Sequence, residues 1–370
     1  MWLSALGLAN FRNYERLSLA LDRRPVVLTG PNGAGKTNLL EAVSFLSPGR
    51  GLRRARLADV ARRGGDGSWA VTATLGGAGD DVAIGTGIAL GPEGPEATRQ
   101  LRLNRTPAES TQALLEHLRV VWLTPAMDGL FTGPASDRRR FLDRLVLAVD
   151  PRHGERVNAF ERAMRGRNRL LADHTADRSW LTAIEAQMAE HGVAVAAARR
   201  ECVALLAGAI AETQPDGPFP AARLALEGTL ETALDGAPAS GVEDRYRGAL
   251  ATGRGADRAA GRTLDGPHLS DLAVVHAPKA MEAASCSTGE QKALLIGIVL
   301  AHARLVARLS GRTPIVLLDE VAAHLDPERR AALFAILVGL GCQAWMTGTE
   351  PAPFTALGDA AQHFAVPEDL

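Results

Sequence analysis

The segment Gly30 to Thr37 reads Gly-Pro-Asn-Gly-Ala-Gly-Lys-Thr, the G-x-x-x-x-G-K-[ST] spacing of a phosphate-binding loop. Residue type dictates its chemistry. Gly30, Gly33 and Gly35 let backbone N–H groups converge on phosphate oxygens with no Cβ in the way, and Pro31, Asn32 and Ala34 complete the cofactor-binding turn. Lys36 has the reach and charge for β- and γ-phosphates, and the Thr37 hydroxyl suits Mg²⁺. A second set follows far downstream, where Ile315 to Glu320 reads Ile-Val-Leu-Leu-Asp-Glu. A continuous apolar run is a strand buried on both faces, and carboxylates at its C-terminal end open into the crevice where ligands bind. Asp319 is then the Mg²⁺ residue, and Glu320 orients and deprotonates the attacking water. ATP and Mg²⁺ are the expected cofactors, with Lys36 and Glu320 as the catalytic pair.

These groups must be held by regular elements. Pro25-Val26-Val27-Leu28 reads as a strand entering the loop, and Leu39, Leu40, Val43 and Leu46 recur with helical spacing after it. Trp2 to Arg12 and Leu17 to Leu21 read as strands around a turn at Asn13-Tyr14. Trp69 to Leu75, Val82 to Leu90 and Gln100 to Leu103 read as an antiparallel sheet separated by Gly and Pro clusters such as Gly91 to Pro95. Leu114 to Leu118 reads as a short helix and Arg119 to Leu123 as a buried strand. Past Gly133-Pro134 the pattern turns helical, over Asp137 to Val149, Val157 to Leu171 and about Trp180 to Ala211. The last two form an antiparallel helical arm. Pro218 to Glu227 and Thr263 to Val275 read as strands, and the Gly- and Ala-rich stretch Gly236 to Gly261 between them as partly mobile. Gln343 to Thr347 is a final strand. These strands and helices read as an α/β fold class, with the phosphate loop and the Asp-Glu strand end as two halves of one P-loop ATPase site.

Composition narrows the partners. The 370 residues are 46% apolar but only 4% aromatic, so a large core must rest on Leu, Val and Ala. With a net charge of −1, contact with nucleic acid has to come from local clusters. Arg50, Arg53, Arg54, Arg56, Arg62 and Arg63 face only Asp59, and Asp137 to Arg169 holds ten arginines against five carboxylates. The first stretch, with Arg50, Arg53, Arg54 and Arg56, is read as contacting DNA phosphates without base readout. Cys202, Cys286 and Cys342 have no metal-ligand or disulfide spacing. No signal peptide and no membrane span is read, so the expectation is a cytoplasmic protein.

One further segment sets the class. Ser287 to Lys292 reads Ser-Thr-Gly-Glu-Gln-Lys at the start of an apolar helix, just before the Asp-Glu strand. It resembles the signature of ABC-type ATPases, in which one subunit's signature closes on the γ-phosphate held by the other. Ser287 and Gly289 are then nucleotide contacts made in trans, and a plain helix cap by Ser287 or Thr288 is compatible with that role. His324-Leu325-Asp326 resembles the loop crossing the dimer seam, with Asp326 near nucleotide.

Segments along nearly the whole chain resemble the RecF family, SMC-related ATPases of bacterial recombination and gap repair. They are LANFRNY (8–14), GPNGAGKTNLLEAVSFL (30–46), GRGLRRARLADV (49–60), RRRFLDRLV (138–146), DGPHLSDL (265–272), STGEQKALLIGIVLA (287–301) and LLDEVAAHLDPERR (317–330). The resemblance implies an α/β fold with an ABC-type P-loop ATPase lobe, a mixed sheet with helices made from both chain ends, residues 1–133 and 263–370, and a mainly helical arm lobe, residues 134–262, inserted in it. It further implies an ATP-dependent homodimer on DNA, at single-strand/double-strand junctions or on duplex. It also implies cooperation with RecR and RecO in loading RecA at gaps. Arg12 is a further phosphate contact. The family's GPHRDD segment stands here as Gly266 to Asp271 without its arginine and one of its aspartates, and no histidine occupies the switch position after the final strand read above, Gln343 to Thr347. Thr347 or Thr349 takes that place, and slow turnover is expected. An ABC-transporter ATPase subunit and an SMC-like architectural protein are the other classes these motifs serve.

Overall fold

The computed structural model describes residues 1–77, 81–91, 94–95, 98–173, 177–212, 217–322 and 325–367. In β1 (Trp2–Phe11) small Ala5, Gly7 and Ala9 alternate with buried Leu6 and Leu8, and a bulge between Leu3 and Ala5 lets Leu3 point inward too. The strand pairs with β2 (Tyr14–Ala20) through a tight turn. The elements that follow are β3 (Val26–Thr29), α1 (Lys36–Ser44), β4 (Trp69–Gly76), β5 (Val82–Ile88), β6 (Leu90–Gly91), β7 (Gly94–Pro95), β8 (Gln100–Leu103), β9 (Thr106–Pro107) and β10 (Val120–Leu123). Helices α2 (Ala135–Val149), α3 (His153–Ala172) and α4 (Arg178–Ala211) lead to β11 (Ala222–Glu227), α5 (Thr229–Ala233), α6 (Ala239–Ala260), β12 (Asp271–His276) and β13 (Met281–Glu282). The chain closes with α7 (Thr288–Ser310), β14 (Ile315–Leu318), α8 (Pro327–Leu340), β15 (Ala344–Gly348) and β16 (Gln362–Ala365).

Two compact units result, Met1–Asp128 with Val299–Leu370, and Gly129–Ile298. The first holds an antiparallel sheet ordered β2-β1-β4-β5-β8-β9 and a parallel sheet ordered β10-β14-β15-β3-β16. Its core joins both sheets to α1. Leu6, Leu8, Val71 and Trp69 meet Leu39, Leu40 and Val43, and Val26, Leu28, Leu317 and Trp345 belong to the same buried cluster. Phe11, Phe45 and Trp69 pack edge-on and tilted, with centroids 4.9 to 6.0 Å apart. Buried Gln343, at the start of β15, ties the sheets together: its amide accepts from Leu3 N–H and donates to Leu3 O, at 3.0 Å each.

In the second unit α3 and α4 run antiparallel, as their spacing predicts. Gly166 lies against Ile184, and Gly192 against Phe160 and Tyr246, so the small residues allow close approach. Buried Arg167 on α3 bonds Glu185 of α4, and Asp257, Thr263 and the Leu250 carbonyl. The stretch 236–261, expected to be partly mobile, is instead mostly the helix α6. It buries Val242, Tyr246 and Leu250, four residues apart, into the cluster of Phe160, Met188 and Val193. Tertiary contact outweighs the weak helix propensity of its glycines. Residues 263–298, assigned above to the lobe of the chain ends, cluster with this unit because β12 pairs along its whole length with β11. Among the described residues α7 is the one helix long and apolar enough to cross a membrane, although no such stretch was expected, and 67% of its apolar window is buried inside the protein.

Candidate functional site

β3 is buried at all four positions and delivers the chain into the loop at Gly30. Gly30 has φ +151°, and a Cβ there would come within 2.2 Å of the Val366 carbonyl oxygen, so only glycine fits. Gly35, at the N-terminus of α1, has φ +104°, and a Cβ would press on the Asn13 amide and the Tyr14 hydroxyl. Those two side chains support the loop from the β1–β2 turn. Tyr14 donates to Gly35 O at 3.1 Å and Asn13 to Ala34 O at 3.3 Å. Burial raises the Tyr14 pKa, keeping its hydroxyl a donor. In the sequence Asn13 and Tyr14 stand in a turn between strands and at the end of the LANFRNY segment, with no partner in the loop indicated. Their polar side chains beside a glycine loop were the available signal.

Lys36 folds over the loop and donates to Gly30 O and Pro31 O, both at 2.7 Å. Desolvation lowers its pKa, against the opposing pull of Glu320 and Asp319, so the ammonium and both carboxylates share one electrostatic site. The Thr37 hydroxyl donates to Asp319 Oδ1 at 3.0 Å, joining the loop to the end of β14. Parallel pairing sets this meeting. β15 lies between β14 and β3, with Met346 opposite Leu318 and Gly348 opposite Thr29, so the three C-terminal ends lie side by side. Thr347, on β15, donates to Asp319 Oδ1 at 2.8 Å and accepts from Glu320 N–H at 2.8 Å. Glu320 has φ +54°, a left-handed conformation rare for its type. A hydroxyl and a carboxylate at one point are hard oxygen donors of the kind Mg²⁺ takes.

The other sequence candidates have distinct surroundings. Arg12 donates through Nε and Nη2 to Glu41 and through Nη1 to Asp59 O. Arg53 reaches the same buried carboxylate at 3.0 Å and also bonds Asn38. Arg50, Arg54 and Arg56 are exposed. Asp326 caps α8, accepting from Arg329 N–H at 2.8 Å, whereas His324 lies outside the described residues. In the second unit Ser287 and Glu290 form a reciprocal capping box at the start of α7. Lys279 bonds Glu290 and, with the Ser287 bonds, holds its carboxyl down to about 2. Ser287, Thr288 and Gly289 are exposed, and a Cβ on Gly289 would meet nothing within 4 Å.

Arg99 gives no sign of its role in the sequence. Its guanidinium donates to the carbonyls of Phe45, Ser47 and Gly49 just beyond α1 and lies over the Phe45 ring. Burial lowers its pKa to about 10, which leaves it cationic at neutral pH, where it complements the negative end of the helix. No local pattern around Arg99 announces a partner some fifty residues earlier in the chain.

A glycine loop opening a helix, with paired carboxylates just past the end of another strand of the same parallel sheet and a capped serine-glycine segment elsewhere in the chain, defines a P-loop protein of the ABC and SMC-head type. Comparison with known proteins narrows this further. The family described as the RecF/RecN/SMC N-terminal domain matches residues 2–354. The chain is 62% identical over 364 residues to the DNA replication and repair protein RecF of Mesorhizobium japonicum, covering 98% of this chain and 96% of that protein. It therefore belongs to the RecF family. Its fold is similar to two solved structures of the recombination mediator protein RecF in the RecFOR pathway, RecF-ATPrS and RecF-ATP. They superpose with TM-scores of 0.84 and 0.83 at 20% and 21% identity, covering 100% of this chain and 96% and 98% of theirs.

Proposed function

We propose that the chain is an ATP-gated DNA-binding protein of recombinational and replication-gap repair. The observation that carries the reading is the Thr37–Asp319 hydrogen bond, which brings the loop hydroxyl and the strand-end carboxylate to one point. These two residues would hold Mg²⁺, which when bound neutralises charge on the β- and γ-phosphate oxygens. Gly30 to Thr37 cradle the phosphates, and Lys36 exchanges its two loop carbonyls for phosphate oxygens. Glu320 orients and deprotonates the attacking water. Arg12 is a proposed phosphate contact only if nucleotide draws it from Glu41, to which it is bonded.

Exposed Ser287 and Gly289 complete the site of a second copy, with Asp326 at the seam, so ATP stabilises a homodimer. Arg50, Arg54 and Arg56, joined by Arg53, contact DNA phosphates at gapped junctions or duplex. Working in the cytoplasm with RecR and RecO, the dimer helps load RecA, and slow hydrolysis releases it. The experiment is to measure ATP turnover and sedimentation with gapped DNA, duplex and no DNA. Slow turnover raised by DNA, and dimers only with ATP, are expected. Turnover indifferent to DNA, with monomers throughout, contradicts the proposal.

A further inference from the structure

We infer that Thr347 is a positioning residue that sets the Mg²⁺-side carboxylate and the general base together. The proposal rests on the nucleotide-site reading above and adds a residue to it. Thr347 is fully buried, and its hydroxyl has one hydrogen to give. Glu320 N–H can only donate, so Thr347 Oγ1 accepts from it at 2.8 Å and must spend its own hydrogen on Asp319 Oδ1, also at 2.8 Å. One oxygen thus fixes both neighbours. β14 ends at Leu318, so the Glu320 N–H lies beyond the ladder, and Thr347 supplies its acceptor. In an extended strand Asp319 and Glu320 would point to opposite faces. The left-handed backbone at Glu320, φ +54°, breaks that alternation, and the bond to Thr347 is what holds the residue there.

Thr37 shares Asp319 Oδ1 with Thr347. If Thr37 turns toward a metal ion, Thr347 is the donor that remains to orient the carboxylate. Thr347, near the end of β15, therefore acts through Asp319 and Glu320 and need not touch phosphate, the role its sequence position suggests.

The test compares Thr347→Val, of the same shape but without the hydroxyl, with Thr347→Ser. Three quantities are read: metal-free binding of a fluorescent ATP analogue, Mn²⁺ affinity by electron paramagnetic resonance with a non-hydrolysable ATP analogue, and kcat against KM. For Thr347→Val, metal-free analogue binding stays within about twofold while Mn²⁺ affinity and kcat each fall about tenfold, the loss typical of a residue that orients a metal ligand. Thr347→Ser restores both to within about threefold. Wild-type metal affinity and kcat in Thr347→Val overturn the proposal. So does a loss that Thr347→Ser shares fully, or one accompanied by lost metal-free binding, since that marks mere support of the fold. If the wild type binds Mn²⁺ with the analogue but turns over no ATP, the ATPase reading fails while the Mn²⁺ readout still decides Thr347.

Discussion

Arg12 grips the fully buried Glu41 with two parallel bonds, Nε to Oε2 at 2.8 Å and Nη2 to Oε1 at 2.7 Å. Glu41 lies on α1, one turn past Thr37, and Arg53 adds a third bond at 3.0 Å. The β1–β2 turn, the phosphate-loop helix and the arginine-rich stretch thus converge on one carboxylate. Bidentate geometry makes the Arg12 contact the stronger of the two cationic ones.

Removing that carboxylate leaves a largely buried guanidinium without its counter-charge. Glu41→Gln is expected to destabilise the first unit by about 3 kcal/mol, while Arg53→Ala, whose side chain is 41% exposed, costs under about 1 kcal/mol. Urea unfolding followed by Trp69 and Trp345 fluorescence measures both. Equal losses would show that the clasp is not centred on Arg12.

The second unit carries its own acid-sensitive group. Burial raises the Asp143 pKa, but His153 Nε2 at 2.8 Å and two bonds from Arg199 outweigh it, and the carboxyl falls to about 2. A depressed carboxyl contributes stability above its unfolded pKa of about 4, and that contribution disappears as pH falls through about 2. Between those values this unit should lose about 2 kcal/mol from Asp143, and Asp143→Asn should flatten that part of the profile. Urea midpoints taken at successive acid pH values test it. An unchanged slope in the variant would assign the loss to other groups.

Much of the site was legible before the fold. The loop, the Asp-Glu strand end and the capped Ser287 segment are short patterns whose chemistry is local, and β3, β14 and α7 appear where apolar runs demand them. What stayed hidden depends on distant partners. Glu41 shows nothing of Arg12 and Arg53, and Arg99 nothing of the carbonyls beyond α1. α6 is legible only through Val242, Tyr246 and Leu250, too thin a stripe among glycines and alanines to mark a helix until Phe160 and Val193 are set against it. The strand pair β11–β12, across more than forty residues, gave residues 263–298 to the second unit for the same reason.

Gly289 is open on its helix end, so a larger side chain there should spare the monomer. Gly289→Asp is expected to bind a fluorescent ATP analogue within about twofold of wild type, yet form no ATP-dependent dimer because its charge repels a γ-phosphate. Nucleotide titration and sedimentation read the two effects separately. Retained dimers would remove the signature segment from the interface.

The exposed arginines should register in salt dependence. Replacing Arg50, Arg54 and Arg56 by alanine should weaken duplex binding and make the slope of log affinity against log salt shallower by about 2 to 3. Fluorescence anisotropy across a salt series measures the slope. The same slope in both proteins would mean that these side chains are solvated and leave DNA to another surface.

The proposed function requires each bound ATP to have its site completed by a second chain. Sedimentation velocity of Glu320→Gln and Lys36→Met with ATP and gapped DNA tests it most directly. Glu320→Gln is expected to accumulate dimers beyond the wild type, and Lys36→Met to stay monomeric. Glu320→Gln remaining a monomer with ATP bound would contradict it.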